Sequence, residues 1–296
     1  MISKFKHGLS ERFIDQLSEE LNKGPWWADV LNDPKLFLAV RDNYFGVYWR
    51  GHRLFRVGLG RSGLGVTTHV KFLVDPKLAD QISLVKGQFD VDRGFVRRYE
   101  GPETLAKMKK AAGLFSGAEE RGRHEVILAN PQVIDCEIAF PGKDATGKRQ
   151  VDLLSLEPEG DSALLVFWEA KDFTSEDLRA KDEEDVQVCK QIARYRQCLS
   201  EYRDDVERSY KRVAENLVAF GKMGWKRRLS PLIPEVAEGR RPLTLGAEPR
   251  VGLVIFGFDK PQQDDPSWKG RHLARLKENI KPVVDRGEAK GVSLKL

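Results

Sequence analysis

Apolar spacing in the first third of the chain predicts a small α+β unit. Leu9, Phe13, Leu17 and Leu21 recur at helical spacing, which indicates an amphipathic helix, or two short helices, over 9–31. Alternating apolar positions around 45–57 predict a β-hairpin or meander, and 66–74 reads as one more strand. A boundary near 100–112 follows, where turn residues and a Lys-rich segment interrupt the pattern.

The pattern after residue 113 is different and predicts a mixed sheet between helices. The predicted helices cover about 115–129, 182–199, 201–226 and 267–281. The predicted strands cover about 133–140, 149–156, 163–171 and 251–258, with an edge strand over 291–296. The core order is α-β-β-β-α-β, an α/β arrangement. We therefore predict an N-terminal α+β domain at 1–110 and an α/β domain at 111–296 with a helical insertion at about 201–248.

Composition restricts the class of protein. Of the 296 residues, 41% are apolar, enough for a substantial core, and no apolar run approaches the roughly 20 residues that span a bilayer. The three cysteines are not arranged as C-x-x-C, and the N-terminus has no apolar segment typical of a secretion signal. We expect a cytoplasmic protein without a membrane partner.

Positive charge is concentrated at one end of the chain. The first 110 residues contain 19 of the 50 Lys and Arg but only 13 of the 45 Asp and Glu. This excess suits a polyanion, although an ordinary basic surface explains it equally well. Basic and aromatic residues alternate there, which favours nucleic-acid contact or protein docking: Arg41, Arg50, Arg53, Arg56 and Arg61 with Tyr44, Tyr48 and Trp49.

Residues 58–63 read G-L-G-R-S-G, a formal dinucleotide-binding fingerprint. That fingerprint requires a strand before it and a helix after it, so that the helix N-terminus meets the pyrophosphate. The residues that follow are strand-like. We therefore interpret this stretch as the link of a β-hairpin and not as a cofactor site.

Charged residues end the strand with the most apolar sequence, V-F-W-E-A-K-D-F (166–173). Residues i and i+2 of a strand share a face, so Glu169 and Lys171 project together. Asp152 lies on the preceding strand, which the E-P-E-G-D-S turn brings back antiparallel. Two adjacent carboxylates favour a cation, and their oxygens with the backbone carbonyl of Ala170 suit Mg²⁺ or Mn²⁺. A hard divalent ion beside a Lys is an arrangement that cleaves phosphodiesters. The alternative is a salt bridge between Glu169 and Lys171 at a sheet edge.

The spacing D-x16-E-x-K across a hairpin, between two helices, resembles the PD-(D/E)-x-K nuclease superfamily, which has the restriction-endonuclease-like fold. The resemblance covers about 113–200, with 251–258 as a fourth strand. It implies that Asp152 and Glu169 are metal ligands and Lys171 the catalytic Lys. Val151 stands where the name-giving Pro would be, at a position that varies in the superfamily.

Two further matches extend the resemblance. Q-I-A-R-Y (191–195) is similar to the Q-x-x-x-Y element of the RecB-type branch, which implies that Gln191 and Tyr195 approach the site. The alternative is a core Tyr beside a solvated Gln. Many members carry another Glu on the helix upstream, and here the candidates are Glu120, which we prefer, and Glu125. Asp135 and Glu137 are further candidate carboxylates.

The resemblance implies a Mg²⁺-dependent nuclease, with Mn²⁺ as a substitute, that cleaves DNA in restriction, foreign-DNA defence or DNA repair. An RNA-directed nuclease is a weaker alternative. The alternative of another class is an inactive nuclease-fold protein that binds nucleic acid or scaffolds a complex. Control by an activating protein or by homo-oligomer formation is a further expectation, and the N-terminal domain would recognise substrate or partner.

Overall fold

The computed structural model describes residues 4–74, 84–85, 88–89, 95–144, 147–180 and 186–295. The predicted start of the helix at 182–185 lies outside the described residues, as does residue 296 of the predicted edge strand. No helix in the described ranges is long and apolar enough to cross a membrane.

The N-terminal part contains two short helices and a four-stranded antiparallel sheet. The helices are α1 (Glu11–Glu20), which Ser10 caps at its N-terminus, and α2 (Pro25–Asn32). The sheet has the order β1 (Phe37–Arg41), β2 (Tyr44–Trp49), β3 (His52–Gly60) and β4 (Gly63–Thr67). A small two-stranded sheet, β5 (Leu84–Val85) with β6 (Gln88–Phe89), and helix α3 (Pro102–Gly113) follow.

The link between β3 and β4 confirms that the Gly-rich stretch forms a β-hairpin. Gly60 pairs with Gly63 across a two-residue turn, and Gly63 has a φ of +113°, which a glycine adopts without strain. The strand predicted over 66–74 is wrong beyond Thr67, because Val70–Phe72 forms a 3₁₀ turn.

The second part has the predicted order of elements, so the chain is a mixed α/β protein. Helix α4 (Ala118–Ala129) precedes β7 (Val133–Asp144), β8 (Gly147–Glu159) and β9 (Ser162–Asp172). Helices α5 (Gln187–Glu201), α6 (Arg203–Lys222) and α7 (Leu232–Ala237) then lead to β10 (Leu243–Thr244) and β11 (Arg250–Phe256). Strands β7, β8 and β9 are antiparallel neighbours, whereas β11 runs parallel to β9.

The C-terminal segment departs from the prediction. After α8 (Lys260–Asp264), the single helix predicted over 267–281 is a π-helical turn at Trp268–Leu273 followed by α9 (Ala274–Asn279). The sheet edge is β12 (Val283–Asp285), which pairs with β11. The edge strand predicted over 291–296 is therefore wrong for the residues the structure describes there.

The two parts share one hydrophobic core. The Phe45 ring lies 5.4 Å from that of Phe220 on α6, and Trp27 meets the same ring edge-on at 5.9 Å. The backbone N–H of Leu9 donates to Oδ1 of Asn216 at 2.9 Å. The N-terminal unit is thus packed directly on α6.

A buried ionic cluster also joins the two parts. Asp135 on β7 is fully buried and accepts hydrogen bonds from Arg41 Nη1 at 2.6 Å and from the Tyr210 hydroxyl at 2.9 Å. His7 Nδ1 lies 3.2 Å from the same carboxylate. Burial would raise the pKa of Asp135, but Arg41 and His7 outweigh it and hold this pKa below its ordinary value. Asp135, a candidate site carboxylate from sequence, is instead the centre of this joint.

Candidate active site

Three charged side chains meet in the middle of the second sheet. Asp152 on β8 is 7% exposed, and Glu169 and Lys171 on β9 are 2% and 8% exposed. Strand β9 lies between β8 and β11, with Glu169 opposite Leu253 and Lys171 opposite Ile255. Because β9 is a central strand, the alternative of a salt bridge at a sheet edge is wrong. The two residues do form an ion pair, but it is buried.

Glu169 has one carboxylate oxygen with no hydrogen-bond partner among the described residues. Its Oε1 lies 3.1 Å from Nζ of Lys171, whereas Oε2 is buried and unpaired. Burial raises the pKa of Glu169 to about 8, and the negative charge of Asp152 is the second largest cause. A buried, unpaired carboxylate oxygen is costly, and a cation placed against it would remove that cost.

Lys171 holds a second acidic partner, Asp177, which the sequence did not indicate. The ammonium lies 3.1 Å from Asp177 Oδ2 as well as 3.1 Å from Glu169. Burial alone would lower the pKa of Lys171, but the carboxylates of Glu169 and Glu119 outweigh it and raise this pKa. The side chain is therefore a fixed positive charge inside the site.

Asp152 is held in place from two sides. Its Oδ2 accepts a hydrogen bond from the Ala170 backbone N–H at 2.9 Å, which ties β8 to β9 at this point. Its Oδ1 accepts from Arg123 Nη1 at 2.5 Å, and Arg123 Nη2 also binds Glu137 Oε1 at 3.2 Å. Arg123 is a site residue that sequence reasoning missed, and it brings Glu137 to the margin of the site.

Helix α4 carries the upstream carboxylate. At Gly122 a Cβ atom would stand 2.1 Å from the Phe256 ring, so only glycine allows the helix to lie this close to β11. Glu119 and Arg123, four residues apart, share a helix face. Burial raises the pKa of Glu119, and its carboxylate interacts with the charges of Lys171 and Asp152.

The structure does not bring Glu120 to this cluster, so the preference for it is corrected. A Cβ at Gly51 would stand 2.6 Å from the Glu120 Cβ, and one at Gly117 would stand 2.5 Å from its Oε2. Glu120 thus packs against the β2–β3 turn. Glu125 is exposed and interacts with Lys290. The carboxylate of α4 at the site belongs to Glu119.

Gln191 and Tyr195 lie together beside the site strand. The Gln191 Nε2 donates to the Tyr195 hydroxyl at 2.6 Å, and that hydroxyl donates to the Gln150 carbonyl at 2.6 Å. Tyr195 is buried, and burial, followed by the charge of Glu169, raises its pKa. The pair holds β8 two residues before Asp152, and the Tyr is at the same time part of the core.

The donors present suit one hard divalent cation. Carboxylate oxygens of Asp152 and Glu169 are the ligand type that Mg²⁺ and Mn²⁺ prefer, and the unpaired Glu169 Oε2 is available for one. Within the described ranges, no group of three or more His, Cys, Asp or Glu side chains is arranged to hold a metal. The remaining ligands would come from the backbone, as expected for Ala170, from water and from substrate.

Comparison of the chain with protein-family models gives no match, and comparisons with curated proteins and with solved structures give none either. The chemistry assigned to this site therefore rests on the residues that form it.

Proposed function

We propose that this protein is a Mg²⁺-dependent nuclease of the restriction-endonuclease-like fold that cleaves DNA. The observation that carries the proposal is the unpaired, buried Oε2 of Glu169 beside Asp152 and Lys171. A buried charge with an unpaired oxygen destabilises the folded protein, and a purely structural role for Glu169 would not compensate for that destabilisation. A site for a cation next to a fixed ammonium explains all three residues together.

Each residue has a distinct role in this proposal. Asp152 and Glu169, with the Ala170 carbonyl, would hold Mg²⁺ or Mn²⁺. The bound ion supplies positive charge that polarises a phosphoryl oxygen and acidifies a water molecule. Lys171 carries a fixed charge that binds the scissile phosphate and stabilises charge developing on it. Gln191 and Tyr195 position β8 through Gln150.

The proposed setting is restriction, foreign-DNA defence or DNA repair, which follows from analogy with the fold and not from a residue of this chain. Control by a protein activator or by a homo-oligomer belongs to the same proposal.

One observation favours the alternative of an inactive nucleic-acid-binding protein. The Arg123 guanidinium already binds Asp152 Oδ1 at 2.5 Å and supplies positive charge where a cation would lie. A site neutralised by Arg123 would need no metal. Metal binding therefore separates the two functions.

The test combines metal binding with cleavage. We expect calorimetry to detect Mn²⁺ binding at one site, and Asp152→Asn to weaken it at least about tenfold, because one charged ligand is lost. Supercoiled plasmid, linear duplex and single-stranded DNA should be cut with Mg²⁺ or Mn²⁺ and not with EDTA. Absence of both metal binding and cleavage would refute the nuclease and favour the inactive protein.

Tyr195→Phe tests the positioning role of the hydroxyl. The variant loses only the hydrogen bonds with Gln150 and Gln191. We expect cleavage to fall about 10-fold and Mn²⁺ affinity to fall with it, because β8 is no longer fixed two residues before Asp152. The unfolding free energy should drop by only about 1 kcal/mol in urea titrations. Unchanged metal affinity at that stability would contradict a positioning role.

A further inference from the structure

A cleft of about 600 Å³ separates the N-terminal sheet from strands β7 and β8. Residues of β2, β3 and the 3₁₀ turn after β4 form one wall, and residues of β7 and β8 form the other. The side chains that matter for its chemistry come from both walls: Lys6, Tyr44, Arg53, His69, Lys71 and Glu137.

The cleft reaches the candidate active site through two direct links. Glu137 lines it and accepts a hydrogen bond from Arg123, which in turn binds Asp152. Gln150 also lines it and lies two residues before Asp152 on β8. A chain molecule lying in this cleft would therefore extend to the carboxylates.

The N-terminal wall of the cleft is basic. Arg53 and His69 are exposed and Lys71 is half-buried, whereas the acidic groups of the lining are Asp42, which pairs with Lys6 at 3.0 Å, and Glu137, which pairs with Arg123. The charges of Arg53 and Lys71 are thus available to an anion. Repeated phosphates are the ligand that such a basic groove follows.

An exposed aromatic ring stands beside this basic wall. Phe115, just beyond α3, is 52% exposed, and Lys71 Nζ lies 4.8 Å from its ring centre. The neighbouring Leu114 is 70% exposed. An exposed ring next to a phosphate-binding charge is the combination that stacks an unpaired base.

We propose that this cleft binds a single-stranded polynucleotide, with Arg53 and Lys71 on phosphates and Phe115 stacked on a base. A space of about 600 Å³ is the size of a small-molecule pocket, so it admits a few nucleotides of one strand and not a duplex. The inference rests on the proposed function because it names the substrate form that the site receives. It places base recognition on the N-terminal unit, outside the carboxylates.

The basic and aromatic residues of the N-terminal unit differ in whether their side chains are free to contact a ligand. Arg41 and Tyr48 are buried, and Arg41 is bound to Asp135. Trp49 packs edge-on against His124. Arg53 lines the cleft with an exposed side chain, Lys71 lines it half-buried, and Phe115 lies next to Lys71.

The experiment measures fluorescence anisotropy of labelled oligo-dT of about 12 nucleotides, in EDTA so that no cleavage intervenes. Oligo-U and a DNA duplex of equal length are measured in the same way, to compare RNA and double-stranded DNA with the single DNA strand. We expect Phe115→Leu to weaken oligo-dT binding roughly 5- to 100-fold, since one stacked base is lost. Leu114→Ala, which changes the neighbouring exposed apolar side chain, should leave binding unchanged.

Charge is tested with a double variant, Arg53→Gln with Lys71→Gln. We expect the slope of log affinity against log salt to become shallower by about 1.4, because two phosphate contacts are lost. The matched control is Lys222→Gln with Lys277→Gln, which removes two exposed helical lysines outside the cleft. Each double variant is compared with wild type only if both proteins have the same midpoint of thermal unfolding.

Three results would overturn the inference: equal loss in both double variants, unchanged affinity of Phe115→Leu, or tighter binding of duplex than of single strand. Preference for oligo-U over oligo-dT would support the cleft as the binding site for a single strand and would identify that strand as RNA. Because binding is measured without metal, these results are independent of the cleavage assay. Cleavage with no cleft dependence would refute this inference alone, and cleft-dependent binding with neither metal binding nor cleavage would refute only the nuclease.

Discussion

Glu169→Gln should slow metal-dependent cleavage by at least about 100- to 1,000-fold, because it removes the charge of the proposed metal ligand, whose Oε2 has no hydrogen-bond partner in the described part of the chain. The same change should make the metal-free protein more stable. The neutral amide no longer carries a buried negative charge beside Asp152, and Lys171 keeps Asp177 as its partner. We expect a gain of about 1–3 kcal/mol in unfolding free energy at pH 8.

The pH dependence gives this prediction a second readout. The pKa of Glu169 is raised to about 8 in the folded protein, so the folded state keeps a proton that the unfolded state releases near pH 4.5. Stability from this group is therefore present below pH 4.5 and is lost as the pH rises towards 8. Urea titrations across this range should show the loss in wild type and a flatter profile in Glu169→Gln.

Glu157→Gln is the matched control. Glu157 is also a buried strand carboxylate, its pKa is raised to about 7 by burial, and it binds Ser155 away from the site. This variant should cleave at the wild-type rate. Equal loss of cleavage in both variants would show that any neutralised strand Glu damages the protein, and would refute the proposed catalytic role of Glu169.

Asp135→Asn should cause the largest loss of stability, about 3–5 kcal/mol, because Arg41 would remain buried without its counter-charge. The amide also weakens the contacts with His7 and Tyr210, so both parts of the protein are affected. Chemical denaturation should show one cooperative transition at a lower urea midpoint.

The pH dependence of the unfolding free energy at acid pH should also change in Asp135→Asn. The pKa of Asp135 lies below its ordinary value, so its contribution is present above the unfolded pKa and is lost as the pH falls through the folded one. Asp135→Asn removes that dependence. Asp42→Asn, at an exposed ion pair with Lys6, should cost at most about 1 kcal/mol. Similar losses of unfolding free energy in both variants would contradict the conclusion that the buried cluster around Asp135 holds the two parts together.

The sheet and its three central charges could be predicted from sequence for a simple reason. Strands β7 to β9 are apolar runs separated by turn residues, and the period of two fixes which side chains share a face. Glu169 and Lys171 were therefore certain to project together once β9 was identified. The E-P-E-G-D-S turn then determined that Asp152 would face them.

The upstream carboxylate could not be predicted in this way. Glu119 and Glu120 are adjacent, and one helix position turns a side chain by about 100°. Which of them faces the site depends on the rotation of α4, and that rotation is set by Gly122 against Phe256. This contact joins residues far apart in sequence, so no local pattern signals it.

The same limit applies to the N-terminal basic residues. Alternating Arg and aromatic side chains do not reveal which of them a second sheet will cover. Arg41 became part of the core because β7 presents Asp135 to it across 94 positions of sequence, whereas Arg53 stayed at the surface. Only the packing of the two sheets separates the two roles.

The contact between Leu9 and Asn216 has a consequence for biosynthesis. Its partners are 207 positions apart, so the backbone N–H of Leu9 and the side of Trp27 that meets Phe220 have no partner on α6 until that helix is synthesised. At about 5–20 residues per second, that interval is roughly 10–40 s. During this time the helices α1 and α2 can pack on Phe45 and Phe55 of the N-terminal sheet, but their side facing α6 is uncovered, and exposed apolar surfaces are what chaperones bind. Completion of α6, rather than of the N-terminal sheet, is the event that ends this exposure.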